Sequence, residues 1–147
     1  MKKMLFLLLC FQLVLVCTMQ AQENNIKKEK YNWGNGTQDT TAGYAQAVKV
    51  DNVIYISGTV ARDVNPEGIK RVYDALERTL KNYGATFQNV VKENLYTTDI
   101  EAMKKYNDVR KAYYKNDFPA ATWVQIPRLF MADARLEIEL IAYLPKK

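Results

Sequence analysis

Two acidic residues on one predicted strand are the side chains best suited to acid–base chemistry. Glu137 and Glu139 are separated by one residue within a strand predicted over 136–143, and alternate residues of a strand lie on one face. A carboxylate can take a proton from an attacking water or return one to a leaving group. The same pair is equally well explained as charged groups lining the interior or rim of an assembly, so the pattern leaves both interpretations open.

Thiol and imidazole chemistry is excluded from the part of the chain that is expected to fold. The sequence contains no histidine, and its two cysteines, Cys10 and Cys17, both lie near the N-terminus. No acidic cluster has the spacing of a calcium-binding loop. A metal site would therefore have to rest on carboxylates alone.

The N-terminus has the pattern of a secretory signal peptide. Two lysines precede an apolar run from Met4 to Val16, and a polar stretch then ends at Ala21. We predict cleavage after Ala21 and export to the periplasm or the medium, with no membrane attachment afterwards. Lipidation at Cys17 is an alternative that the bulky Val16 disfavours, and an uncleaved anchor is a further one.

The remaining chain predicts one small domain of mixed architecture. A polar leader with a first short strand at 31–33 occupies residues 22–43, and the domain occupies residues 44–147. Hydrophobic periodicity predicts strands at 44–50, 53–56, 90–97, 121–126 and 136–143, and helices at 69–83 and 100–114. The order β-β-α-β-α-β-β predicts an α+β fold with two helices on one face of a sheet.

Turn and helix-capping residues support these boundaries. Ser57-Gly58 is expected to end the second main strand, and Gly84 the first helix. Asp99 can cap the second helix through its carboxylate. The formal net charge is +5, and lysines near both ends account for much of it. A nucleic-acid surface would need basic and aromatic residues interleaved on one element, so we expect no nucleic-acid partner.

Six segments in order resemble the Rid (YjgF-type, reactive-intermediate deaminase) family. They are Tyr44-Ala45-Gln46-Ala47-Val48-Lys49-Val50, Ile54-Tyr55-Ile56-Ser57-Gly58, Tyr83-Gly84-Ala85-Thr86, Leu95-Tyr96-Thr97-Thr98-Asp99-Ile100, Phe118-Pro119-Ala120 and Leu136-Glu137-Ile138-Glu139-Leu140. The resemblance implies a chorismate-mutase-like fold and a homotrimer with pockets between subunits. It also implies hydrolysis of 2-imino acids to 2-keto acids and ammonia, without metal or organic cofactor.

The same resemblance implies a set of site residues. Glu137 matches the family's catalytic, water-positioning carboxylate. Substrate-binding positions match Tyr44, Ser57, Asn107, Ala121, Trp123 and Arg128. We predict that Tyr44 and Ser57 face Asn107, Ala121 or Glu137 across a subunit boundary. Taken singly, these residues are as readily explained by structural roles, and Arg128 matches a family arginine that is more often structural.

One departure from the family pattern alters the predicted chemistry. The family has an arginine directly after its Pro-Ala step, and here Pro119-Ala120 is followed by Ala121, with Trp123 two residues later. A guanidinium fork fixes both oxygens of a substrate carboxylate, and a methyl group cannot. We therefore predict a small-molecule pocket with weak or absent 2-imino acid deaminase activity. The alternatives are a hydrolase that uses Glu137 on a different imine or enamine and, last, an endoribonuclease.

Overall fold

The computed structural model of this chain describes residues 26–34 and 41–146. The predicted signal peptide and its cleavage site lie outside the described residues, so export stays a prediction. Among the described residues, no helix combines the length and apolar character needed to cross a membrane. The same residues contain no group of three or more histidine, cysteine or acidic side chains that could hold a metal ion.

A six-stranded mixed sheet forms one layer of the domain. Its strands are β1 (Glu29–Tyr31), β2 (Ala47–Val50), β3 (Val53–Ala61), β4 (Val90–Thr97), β5 (Ala120–Gln125) and β6 (Leu136–Tyr143). They lie in the order β1-β2-β3-β6-β4-β5, with β4 and β5 parallel and every other neighbouring pair antiparallel. The C-terminal strand β6 thus lies in the middle of the sheet, between β3 and β4.

Helices cover one face of this sheet. They are α1 (Pro66–Asn82), α2 (Ile100–Lys105) and α3 (Asn107–Tyr114), and a short 3-10 helix, Phe87–Asn89, precedes β4. Leu136, Ile138 and Leu140 of β6 are buried beneath them, whereas the alternate residues of this strand face the other way and are only partly buried. Burial of this apolar layer is the main favourable contribution to folding.

Two of the predicted helix boundaries, the stop at Gly84 and the cap at Asp99, are confirmed, whereas the first helix begins at Pro66 and not at residue 69. Asn65 accepts a hydrogen bond from the backbone N–H of Gly68 at 2.8 Å and so caps the start of α1, and Gly84 follows its end with a positive φ of 70°. The carboxylate of Asp99 accepts from the backbone N–H of Ala102 at 3.0 Å, as expected for the start of α2. The sequence thus specified both helix starts through short polar side chains.

Several strand and helix boundaries differ from the predictions. The strand predicted at 44–50 begins only at Ala47. The first strand is Glu29–Tyr31 rather than residues 31–33. The second main strand does not end at Ser57-Gly58, because β3 continues through a register shift between Ile56 and Thr59 to Ala61. The second predicted helix is interrupted at Tyr106, whose φ of −104° and ψ of 19° depart from helical values. That interruption contains neither proline nor glycine, so hydrophobic periodicity could not indicate it.

Candidate functional site

A cleft of about 910 Å³ lies beside the second half of β3. Strand β2 pairs with β3 only through residues 53–56, so among the described residues the part after Ile56 has no strand partner on that side. The cleft lies along this part of β3 and is lined by residues of both β6 and α1. Its lining includes Tyr44, Gln46, Ser57, Gly58 and Glu137, together with Trp33, Arg71, Phe130 and Met131. Its volume falls in the range typical of small-molecule sites.

Hydrogen bonds to the backbone before β2 fix Ser57 in this cleft. Its N–H donates to the Gln46 carbonyl at 2.9 Å, and its hydroxyl donates to the Ala45 carbonyl at 2.7 Å. The fully buried Gln46 amide in turn donates to the carbonyl of Ser57 and to the hydroxyl of Thr59, both at 3.2 Å. Because the hydroxyl proton of Ser57 is directed at a carbonyl and not at a base, this serine is suited to accepting a hydrogen bond rather than to nucleophilic attack.

Glu137 enters the cleft from the face of β6 that the helices leave uncovered. Its carboxylate lies over Gly58 so closely that a Cβ added to that glycine would be 1.8 Å from Glu137 Oε1. Burial raises the pKa of Glu137, and the negative charge of Glu139 raises it further. A raised pKa makes this carboxyl group a better acceptor of a proton, and a group that takes up and returns a proton is what acid–base catalysis requires.

The neighbouring carboxylate, Glu139, is held in a different way. It accepts hydrogen bonds from the amide of Asn94 at 2.7 Å and from the hydroxyl of Tyr96 at 3.2 Å, both on the adjacent strand β4. The two glutamates therefore share a face but differ in role, with Glu139 anchored and Glu137 directed at the cleft.

Ala121 and Trp123 lie on the edge strand β5, which β4 and β6 separate from β3 and the cleft. Both residues are on the helix-covered face, where Ala121 is the register partner of Glu93 and Trp123 that of Leu95. The indole N–H of Trp123 donates to the Glu93 carboxylate at 3.3 Å. Within one chain, positions 121 and 123 therefore do not meet Tyr44, Ser57 or Glu137.

A buried ion pair occupies the space beside Ala121. Arg110 of α3 donates through Nε to the fully buried Glu93 at 2.8 Å, and its guanidinium lies 5.3 Å from the ring centroid of Trp123. The hydroxyls of Tyr73 and Tyr114 also donate to Glu93, at 2.9 and 2.6 Å. The pKa of each tyrosine is raised, by burial first and then by the charge of Glu93. The Glu93–Arg110 cluster thus satisfies its own charges.

The two remaining predicted residues lie elsewhere. The side-chain Oδ1 of Asn107, at the start of α3, is buried and has no hydrogen-bond donor within the described residues. Such a group costs about 1–3 kcal/mol and calls for an explanation. Arg128 lines a separate cleft of about 390 Å³ together with Pro127 and Arg135. It is not among the residues lining the main cleft.

Sequence reasoning missed the cationic residue of the main cleft. Arg71 reaches it from α1, and its guanidinium is 3.3 Å from the Asp63 carboxylate. Arg71 precedes the inward-facing Val72 and lies one turn before Ala75, so its position beside the apolar stripe was a signal that could have indicated it. Gln46 was also missed, because its segment was interpreted only as a strand motif.

Comparison with known proteins extends this description. The family model described as "Endoribonuclease L-PSP" matches residues 36–144. The chain belongs to this family. The endoribonuclease L-PSP family includes the YjgF and Rid proteins, so the resemblance seen in the sequence is confirmed.

Curated members of the endoribonuclease L-PSP family carry deaminase names. The chain is 35% identical over 108 residues to the human protein named 2-iminobutanoate/2-iminopropanoate deaminase, covering 67% of this chain and 78% of that one. It is 33% identical over 109 residues to a RutC family protein of Pyrococcus abyssi, covering 68% and 85%.

Solved structures confirm the YjgF-type fold. A Mycobacterium tuberculosis member of the YjgF/YER057c/UK114 family has a TM-score of 0.71 at 23% identity, and the match covers 80% of this chain and all of that one. A Thermotoga maritima protein described as a putative endoribonuclease has a TM-score of 0.65 at 25% identity, with coverage of 85% and 100%.

Proposed function

We propose that this chain is a homotrimeric small-molecule-binding protein of the endoribonuclease L-PSP family with little or no 2-imino acid deaminase activity. The observation that carries the proposal is that the Arg110 guanidinium, which lies beside the strand carrying position 121, is already paired with a carboxylate. Arg110 packs beside this position, but its charge is taken by the buried carboxylate of Glu93. The deaminase names of the relatives support the reaction class, and this pairing is the reason to expect its loss.

Hydrolysis of a 2-imino acid places specific demands on a site. Water adds to the C=N carbon, the resulting amino alcohol releases ammonia, and a 2-keto acid remains. The carboxylate beside that carbon must be held by a cation, because burying it unpaired costs several kcal/mol. A side chain at position 121 that ends in a methyl group offers no such partner.

The buried Oδ1 of Asn107 supports assembly. A donor from a second subunit or from a ligand in the cleft between subunits would satisfy this atom, which finds no donor among the described residues of its own chain. In the proposed trimer, the β5 wall of one subunit, which carries Ala121, closes the cleft of the next. Tyr44, Ser57 and Glu137 then form the other wall.

A second candidate function follows from Glu137. Its raised pKa and its place over Gly58 suit a group that removes a proton from an attacking water and later returns it to the leaving nitrogen. A hydrolase of this kind would act on an imine or enamine whose reacting carbon carries no carboxylate.

A coupled assay tests the main proposal. An amino-acid oxidase generates 2-iminopropanoate or 2-iminobutanoate, and semicarbazide traps the imine that has not been hydrolysed. We expect the wild-type protein to hydrolyse these imines no faster than buffer, or only marginally so. Ala121→Arg combined with Trp123→Cys should gain activity, because the smaller side chain leaves room for the new fork.

Two further variants assign that gain. Trp123→Cys alone should stay inactive, since it opens space but adds no cation. Glu137→Ala in the double variant should lose the gain. Robust turnover by the wild type that does not change with Glu137→Ala would overturn the proposal.

A further inference from the structure

The main cleft receives charged groups from both layers of the domain. Glu137 belongs to the uncovered face of the sheet, whereas Arg71 belongs to α1, which packs on the covered face. Both line the same cleft, which lies where β3 continues beyond the last residue paired with β2, Ile56. A ligand that contacts both groups must therefore extend past the edge of β3.

Arg71 is available to an anionic ligand. Its side chain is 61% exposed, and its ion pair with Asp63, itself 57% exposed, has an N–O distance of 3.3 Å. Exposed ion pairs of this kind contribute little to stability, so a ligand carboxylate can replace Asp63 at small cost. A second cleft, of about 520 Å³, meets the first at Val60, Arg71 and Met131, which places the guanidinium where the two clefts join.

Apolar side chains line the cleft between these charges. Phe130 is 96% exposed and Met131 is 41% exposed, both in the segment between β5 and β6. Trp33 and Val60 add further apolar surface to the lining. Large apolar side chains left exposed around a concave site are typical of a surface that buries a ligand.

We propose that the cleft binds an extended acid, in which an apolar or aromatic body separates a carboxylate, held by Arg71, from a polar end directed at Ser57 and Glu137. This inference rests on the small-molecule pocket of the proposed function and names its ligand class. Arg71 acts as the specificity-determining residue for the acid. The apolar body packs against Phe130, Met131 and Trp33.

This ligand class differs from the 2-imino acids in its geometry. In a 2-imino acid the carboxylate is bonded directly to the reacting carbon. Arg71 and Glu137 enter the cleft from opposite faces of the sheet. A small 2-imino acid therefore contacts both of them less readily than it would contact an arginine and a carboxylate on the same side of a cleft. An acid with several carbon atoms between its two ends matches the arrangement.

Calorimetric titration with two probes that share one carbon skeleton tests the proposal. The probes are 4-phenylbutanoate and its neutral amide, 4-phenylbutanamide, titrated into the full-length protein in its native assembly. We expect the acid to bind about tenfold more tightly than the amide, because a charge-assisted bond to Arg71 is available to the acid alone. Arg71→Gln should remove this preference while the amide binds as before.

Arg78→Gln provides the matched control. Arg78 lies on the same helix and is exposed, but it is not a lining residue of the cleft, so this variant should keep the preference for the acid. Equal binding of acid and amide, or a preference that survives Arg71→Gln, would overturn the ligand class and leave the pocket itself standing. Failure of both probes to bind the wild type would overturn both the ligand class and the proposed pocket.

Discussion

The Glu137 carboxyl group lies where its charge is disfavoured. Burial raises its pKa, and the nearby charge of Glu139 adds to the effect. Glu139, two positions further along the same face, instead accepts hydrogen bonds from Asn94 and Tyr96. The pKa of Glu137 in the folded protein therefore differs from its value in the unfolded chain.

This difference predicts a pH-dependent effect of Glu137→Gln on stability. A raised pKa in the folded state means that the folded protein holds the proton more tightly than the unfolded chain does. The free energy of unfolding is therefore lowered as the pH rises from the ordinary glutamate range through the raised value. The neutral glutamine avoids this loss, so the variant should gain more thermal stability, relative to wild type, at pH 7 than at pH 4.

Calorimetric melting of both proteins at the two pH values measures this effect. Glu67→Gln, at an exposed position in the first turn of α1, is a control for the removal of one negative charge. An equal gain at both pH values would show that Glu137 does not hold its proton more tightly in the folded protein.

The resemblance predicted only part of the lining of the main cleft. Tyr44, Ser57 and Glu137 line one cleft within one chain, whereas Glu137 was expected to face the other two across a subunit boundary. Arg71 and Gln46 were not predicted, since their role depends on the gap beside β3 and no local pattern shows where a strand loses its partner. The link from Glu93 to Arg110 also joins segments that only folding brings together.

Among the elements, β3 does most to shape the cleft. The sequence predicted its first four residues correctly, because all of them are β-branched or aromatic. It missed the continuation to Ala61 because Ser-Gly is normally a stop signal, whereas here the register shift lets β3 resume its pairing with β6. The same shift presents Gly58 to Glu137.

A double-mutant cycle on Gly58 and Glu137 tests that contact. Gly58→Ala places a methyl group where the carboxylate lies, so we expect destabilisation of about 1–3 kcal/mol from overpacking. In a Glu137→Ala background the methyl group has room, and Gly58→Ala should be neutral or slightly stabilising, because it restricts the unfolded chain. Urea unfolding measures all four proteins, and equal costs in both backgrounds would show that the two residues do not compete for this space.

At the scale of the whole molecule, none of the described helices covers the second face of the sheet. Apolar side chains with exposed fractions between 39% and 50% lie on it: Tyr55, Val60, Val124 and Tyr143. Large apolar side chains left exposed on one face are typical of an interface. Hydrophobic periodicity predicted that helices cover one face of the sheet. The other face carries both apolar and polar side chains, and this mixture does not reveal what packs on it.

The homotrimer implied by the family resemblance stays a prediction, and we expect it to use that face. Light scattering of the wild type should give three times the mass of one chain, at all micromolar concentrations. Tyr55→Glu places a charge opposite Ile141 on the uncovered face and should shift the protein towards smaller species. Ile26→Glu, at an exposed position outside this face, should leave the mass unchanged. A wild-type mass of one chain, independent of concentration, would contradict the prediction.

The Glu93–Arg110 cluster restricts the routes by which this sequence can change. Removing one partner of a buried ion pair costs about 3–5 kcal/mol, whereas replacing both with well-packed apolar residues is often neutral. A lineage that freed Arg110 to hold a ligand would have to lose Glu93, and loss of Glu93 alone would leave Arg110 buried and unpaired. The route that reuses Arg110 therefore passes through intermediates that fold poorly, so the present pairing can persist through history even without selection for it.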